Sequence, residues 1–549
     1  MKKVDAVVIG AGAGGGVVAK ELATNGISVV LLERGRFYRP DECRKDDLRN
    51  QRTSLLGNNT GPEDEGNPRV VVDLNGKERI VAPSQGGYSN NAACVGGGTA
   101  TYGAMAWRFH PKDFQMKSTY GCPENSTLED WPITYDDLEP YYEKAESEIG
   151  VSGDDSGNPF KGPRRKPLPM PPLAPTREHR IMEAAARRLG LHPFHIPMAR
   201  NTVPYNGRPP CMRCRWCVGF LCEVNAKGGT QNTVIPTALA TGACEMRTGA
   251  MVKEILLDES GRATGVAYFD EHDRLQQQPA DFVVIAASAV ETPRLLLNTR
   301  HRLFPNGLGN RYDWVGRNLQ GHTYSGAVGR FEEIVYDDLG PGAGVAINDY
   351  NHGNPGLRGG AALCNEFIRL PIQFIGSLPP GTPRWGAGHK NAMRELYRRT
   401  INIQGPTQEM PFFSSRVQVD PKVKDRWSIP VARLSGARHP HSLEVARTMA
   451  DKAAAWLAEA GAVQVWKRVP GQGLSGGQHQ AGTCRMGNDP KTSVVNRYGQ
   501  IHDVPNVFIA DGSVHVTNGG YNPALTIMAV AYWESAYILK TWKGTRFRS

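Results

Sequence analysis

Apolar positions along this chain fall into two rhythms. Val7-Val8-Ile9 runs straight into Gly10-Ala11-Gly12-Ala13-Gly14-Gly15-Gly16. A helical spacing follows over residues 17–25, and then Ser28-Val29-Val30-Leu31-Leu32 ends on Glu33. Strand, glycine turn, helix and strand make a βαβ unit over residues 1 to 40. Unbroken apolar runs recur at Asp281-Phe282-Val283-Val284-Ile285-Ala286-Ala287-Ser288 and at Val507-Phe508-Ile509-Ala510, as expected for parallel strands buried on both faces. Met251–Leu257 reads as a further strand, and 289–298 as a helix that carries Pro293 in its first turns.

Elsewhere the rhythm breaks. The charged stretch 41–78 reads as a surface excursion, and the prolines of 157–175 as a draped linker. Trp131-Pro132-Ile133 leads into the acidic helix start Asp136-Asp137-Leu138-Glu139. Residues 325–475 lack the strand–glycine–helix pattern and read as a second domain. The segment 523–539 is apolar but contains Glu534 and opens at Asn522-Pro523, so it reads as a buried C-terminal helix with no membrane span. The expected class is α/β, with a discontinuous Rossmann-like nucleotide domain (1–115, 231–325 and 476–549). Residues 116–230 are expected as a linker or cap region and 326–475 as a substrate domain.

A chain of 549 residues is long enough for more than one core, and 40% hydrophobic with 21% charged residues describes a globular protein. The net charge of +10 is spread along the chain. Without a basic stripe interleaved with aromatics, no nucleic-acid partner is expected. Met1-Lys2-Lys3 before an apolar run imitates a signal peptide, but Asp5 interrupts it and the glycine turn belongs to the fold. Cytoplasmic location is the default expectation, and export with a signal-bearing partner would leave the same sequence.

Within the first unit, Gly10 makes the tight turn, Gly12 admits a pyrophosphate and Gly15 lets the helix approach the sheet. Glu33 falls where a carboxylate accepts hydrogen bonds from a ribose. A second glycine-rich segment, Cys94-Val95-Gly96-Gly97-Gly98-Thr99, suits backbone passing close to a flat ring or a phosphate. Far along the chain stand His479-Gln480-Ala481-Gly482-Thr483-Cys484-Arg485-Met486-Gly487, then Asp511-Gly512, then Gly520-Tyr521-Asn522-Pro523-Ala524.

Together with Ala289-Val290-Glu291-Thr292-Pro293 and Val315-Gly316-Arg317-Asn318-Leu319, these segments resemble the glucose–methanol–choline (GMC) flavoprotein oxidoreductases over nearly the whole chain. Ala106-Trp107-Arg108-Phe109 and Gly482-Thr483-Cys484-Arg485-Met486-Gly487 look most like a bacterial branch of gluconate, fructose and glucose dehydrogenase large subunits and glycoside-oxidising relatives. The resemblance implies FAD and a substrate domain with a mainly antiparallel sheet. It also implies oxidation of a secondary alcohol of a sugar, sugar acid or glycoside, with hydride passing to flavin N5. His479 would be the base and Asn522 its partner on the same oxygen; cofactor contacts would come from Gly97, Gly98, Thr99, Val252, Asp511, Gly512, Asn522, Pro523 and Ala524. Asn522 is also expected to cap the helix that follows, whose amides favour negative charge on a reduced ring.

Some members of the family link the flavin through a histidine whose place here falls at Thr101, so the FAD is expected to be non-covalent. His322, His502 and His515 carry no motif that raises them above structural roles. A small subunit or cytochrome-type electron acceptor is a partner expected of a dehydrogenase. An oxygen-using oxidase is the alternative, and from another class an electron-transfer subunit without alcohol chemistry.

Cys211, Cys214, Cys217 and Cys222 form C-x2-C-x2-C-x4-C, close to a ferredoxin run but with a longer last gap. An iron–sulfur cluster, a zinc or thiol cluster, and plain thiols or disulfides are all open readings. Cys43, Cys94, Cys122, Cys244, Cys364 and Cys484 are expected to be buried and isolated.

Overall fold

The computed structural model describes residues 1–43, 45, 61–89, 92–475 and 477–545. Part of the excursion expected over 41–78 lies outside them. The opening strand Val4–Ile9 runs into Gly10, whose φ is +99°, and a Cβ there would lie 2.4 Å from Ala286 O. Only glycine makes that turn against the neighbouring strand. The chain then enters the helix Ala13–Thr24, and Gly15 packs so tightly that a Cβ would stand 1.9 Å from Gly10 O.

Five parallel strands form the heart of the first sheet. Cys244–Arg247, Val29–Leu32, Val4–Ile9, the second half of Leu275–Ile285 and Val507–Ile509 lie side by side. Val7, Val8, Leu31, Phe282, Val283 and Phe508 are fully enclosed, as the unbroken apolar runs require. Each such side chain contributes about 1.5–3 kcal/mol on burial. The first half of Leu275–Ile285 pairs antiparallel with Ala263–Phe269, which pairs with Met251–Leu257. The C-terminal helix Ala524–Thr545 lies against Ala13–Thr24 and Tyr135–Ile149. No helix among the described residues is long and apolar enough to cross a membrane.

The second sheet is antiparallel throughout. Its order is Gln464–Arg468, Thr323–Arg330, Thr400–Thr407, Leu363–Asn365, Val345–Ile347, Phe194–Ala199 and Val151–Asp154. Two of its strands therefore come from 116–230, where the sequence suggested a linker or cap. The helix Pro440–Glu459 covers one face, with Val445, Met449, Trp456 and Leu457 packed on Ala327 and Ile403. The opposite face looks into the cavity described below.

A third, four-stranded sheet takes in the end of the stretch 41–78, which is otherwise half-buried or exposed among its described residues apart from Cys43. Arg69–Val72 pairs with Pro430–Ser435 in parallel, and Val70 and Val71 are buried. Arg69 is enclosed as well. Its guanidinium donates to Glu291 at 2.5 Å and stacks 4.2 Å from the Tyr88 ring centroid. A polar letter count misread this segment because its arginine has a buried carboxylate waiting for it.

Candidate active site

One cavity of about 680 Å³ is lined by both of the first two sheets. At the first sheet its floor is glycine. Gly12, Ala13 and Gly14 open the helix Ala13–Thr24 with no side-chain cap, so their amides face the cavity. A Cβ on Gly14 would lie 1.7 Å from Ala510 O, and one on Gly97 would lie 2.9 Å from Gly12 Cα. A helix N-terminus bared between two glycine segments suits a pyrophosphate. Gly10, Gly98 and Thr99 line the same end, and Gly15 sits one layer below, where it sets helix–sheet spacing.

Glu33 borders this end too. Its Oε2 accepts from Ala11 N and its Oε1 from Gly35 N, both at 2.9 Å, and burial raises its carboxyl above the usual range. Each oxygen keeps a lone pair for a ribose hydroxyl. Val252 lines the wall. Asp511 and Gly512 border it as well, but the Asp511 carboxylate is taken up by the protein: Thr292 Oγ1 donates to it at 2.6 Å, and the amides of Ser288 and Ser513 at 2.9 and 2.8 Å. It ties its own turn to the first turn of the helix Ser288–Asn298 at the cavity edge.

Between the two ends stand His479 and Asn522, 43 residues apart in sequence. Asn522 Nδ2 lies 3.0 Å from Tyr324 Oη and 3.4 Å from His479 Nε2, and its buried Oδ1 has no partner. Pro523 O accepts the first helical bond, from Ile527 N, so the expected cap is displaced by one residue. Asn522 does not cap the helix: its side chain turns to the histidine and the tyrosine. Pro523 and Ala524 line the cavity behind it.

Behind His479 lies a residue the sequence did not single out. His322 is buried, and its Nδ1 stands 2.8 Å from His479 Nδ1. Its Nε2 faces the carbonyls of Gly519 and Asn518 at 2.8 and 3.1 Å. Carbonyls only accept, so the His322 proton sits on Nε2. Burial holds that ring's pKa below its ordinary value, so Nδ1 carries a lone pair. The short Nδ1–Nδ1 contact then needs its proton on His479 Nδ1, which leaves the His479 Nε2 lone pair facing Asn522. Asn518 fixes the loop, its Nδ2 donating to His479 O at 2.6 Å. No motif marks His322, because the contact is made across 157 residues of chain.

The cysteine segment is corrected here. All ten cysteines are free thiols, and among the described residues no group of three or more His, Cys, Asp or Glu is placed to hold a metal ion. Cys211, Cys214, Cys217 and Cys222 are not placed there as the iron–sulfur or zinc site that their spacing suggested. The loop is organised by Lys227 instead. Its buried ammonium donates to the carbonyls of Cys217, Phe220 and Tyr102 at 2.6, 2.7 and 2.9 Å. That draws Val218 into the cavity wall. Cys122 is exposed, against the expectation of burial.

The chain matches the GMC oxidoreductase family over residues 4–324 and again over 411–531. The chain belongs to the GMC oxidoreductases. It is 29% identical to the gluconate 2-dehydrogenase flavoprotein of Pantoea cypripedii, over 98% of this chain and 94% of that one. It is 30% identical to the 6'''-hydroxyparomomycin C oxidase of Streptomyces lividus, over 97% and 91%. Among solved structures, pyridoxine 4-oxidase from Mesorbium loti superposes with a TM-score of 0.65 at 17% identity, covering 97% of this chain and 99% of its own. As a GMC oxidoreductase the protein is an FAD enzyme, and the glycine cradle and Glu33 fit that cofactor.

Proposed function

We propose that this GMC oxidoreductase oxidises a secondary alcohol of a sugar, sugar acid or glycoside to a ketone. The observation that carries this reading is the His322–His479–Asn522 line, which presents an imidazole lone pair and an amide to one point in the cavity. FAD, when bound, would supply the acceptor for the hydride, which carries both electrons removed from the alcohol. The chain supplies everything that orients and deprotonates the alcohol. The substrate hydroxyl enters between His479 Nε2 and the Asn522 side chain, and His479 takes its proton. His322 Nδ1 accepts from His479 Nδ1 throughout, so the new imidazolium is stabilised as it forms. Tyr324 holds Asn522 in place.

Non-covalent FAD is part of this reading, and its support is Thr101, a cavity-lining residue at the position that the family resemblance gives to a linking histidine. The gluconate 2-dehydrogenase flavoprotein and the 6'''-hydroxyparomomycin C oxidase are named for sugar-derived substrates, which supports the substrate class proposed here. The test is anaerobic mixing with a panel of polyols, sugar acids and glycosides while flavin bleaching is followed. His479→Ala should retain FAD and bleach at least about a hundredfold more slowly, the scale of a lost general base. Near-normal bleaching in that variant would remove His479 from the chemistry.

A further inference from the structure

The cavity's second end is built from the antiparallel sheet, and its charge is unbalanced. Arg468 and Gln404 both pair with Gly326, one on each side. Residues paired across a ladder face the same way, so both side chains share a face with Tyr324, two residues and about 7 Å along the strand from Gly326. Gly326 has no side chain to separate them. A Cβ there would lie 2.0 Å from Ile403 O, so the gap is fixed by the fold. Tyr324, Gln404 and Arg468 all line the cavity, and Glu366 and Arg369 join them from the end of the neighbouring strand Leu363–Asn365.

Both arginines are under-used. Arg369 Nε and Arg468 Nη1 are buried atoms without a hydrogen-bond partner. Glu366 faces both guanidiniums and bonds to Gln404, so it can offset one positive charge of the two. Burial, then the neighbouring Arg468, pulls Arg369 down to about 10, which still leaves it charged at neutral pH. The cationic groups at the other end each have a carboxylate partner. Arg34 and Arg294 lie 3.9 and 3.0 Å from Glu291, and Lys253 lies 3.2 Å from Glu254. A buried guanidinium with idle N–H groups is costly unless something bound to the cavity completes it.

We propose that Arg369 and Arg468 form an anion subsite that binds the carboxylate of the substrate, so that the preferred substrates are sugar acids or uronides. This rests on the alcohol-oxidation reading above, and it narrows it. One carboxylate would balance the one excess charge and accept from the idle N–H groups. The polyol chain would then reach back past Tyr324 to His479 and Asn522. A guanidinium matches a carboxylate by two parallel bonds, which fixes which hydroxyl meets the base.

The experiment compares matched pairs, gluconate with glucitol and methyl glucuronide with methyl glucoside, in anaerobic flavin reduction. Glucose 6-phosphate is added as a second anion. The acids should half-saturate the rate at concentrations at least about tenfold below their neutral partners. Arg468→Gln and Arg369→Gln should each collapse that ratio towards one, and Arg468→Lys should keep part of it. Flavin absorbance and circular dichroism establish that the variants are folded. Titrating gluconate into His479→Ala, alone and with Arg468→Gln, reads binding without turnover, and the second substitution should weaken it about tenfold.

A neutral partner that performs as well as its acid, or a preference that survives both glutamine variants, overturns the subsite and leaves the alcohol chemistry standing. Glucose 6-phosphate outcompeting gluconate overturns the carboxylate assignment. Failure of every compound to bleach the flavin removes the alcohol reading, while the gluconate titration still decides whether the arginines bind an acid.

Discussion

His322→Phe tests whether the second imidazole does more than fill space. Phenylalanine keeps a buried ring of similar size and removes both nitrogens. His479 Nδ1 then loses an acceptor at 2.8 Å. While His479 is neutral, the loss is that of an ordinary hydrogen bond. Once it has taken the alcohol proton, the lost bond is charge-assisted, worth about 1.5–3 kcal/mol. The cost therefore falls mainly on the protonated state, which the transition state approaches. At 1.36 kcal/mol per factor of ten, the difference of about 1–1.5 kcal/mol between the charged and the neutral bond should slow flavin reduction about five- to tenfold.

The same argument sets a pH signature. His322 stabilises protonated His479, so its removal lowers the pKa of the base. The midpoint of the rise in reduction rate with pH should move down by about one unit, and the plateau should fall. Stopped-flow reduction across the pH range at saturating substrate reads both. His322→Gln, which offers an amide oxygen to His479, should recover part of each. A Phe variant that retains FAD with plateau and midpoint unchanged would refute the tautomer argument. A slower variant with an unmoved midpoint would reduce His322 to a packing role.

Four other outcomes are expected. Acid denaturation should release yellow FAD into the supernatant, because Thr101 offers no linking nitrogen; colour kept in the pellet would contradict this. Elemental analysis of protein purified without oxygen should find no stoichiometric iron or zinc, and Cys211→Ser with Cys214→Ser should leave the reduction rate within about twofold, a change of under 0.5 kcal/mol. Lys227→Met, by contrast, should loosen the Val218 wall and lower FAD retention. Stability should fall as pH drops from 6.5 to 4. Burial holds His515 at about 4 against an ordinary 6.5, so in that window the unfolded chain takes up a proton that the fold refuses. The loss is full below 4, on the order of 3 kcal/mol, and absent above 6.5. Denaturant midpoints at pH 7.5 and 4.5 should differ less in His515→Gln.

What could be read from the chain divides along a physical line. Gly10, Gly15 and the buried strands were legible because each answers a local demand: a turn at φ +99°, a helix that must touch a sheet, an apolar run with no face for water. Residues whose meaning is a contact were not. His322 became important only where Thr323–Arg330 brings it to His479, and Arg468 only where Gly326 leaves it space beside Gln404. Cysteine spacing misled for the same reason in reverse. Four thiols at short intervals constrain the sequence, but a metal needs them at one point, and Lys227 instead gathers the carbonyls of Cys217, Phe220 and Tyr102. The half of the cavity that would select a substrate is assembled from pairings between strands distant in sequence. Its chemistry therefore had to be found from unmatched charge on a shared sheet face, an observable that no spacing of letters encodes.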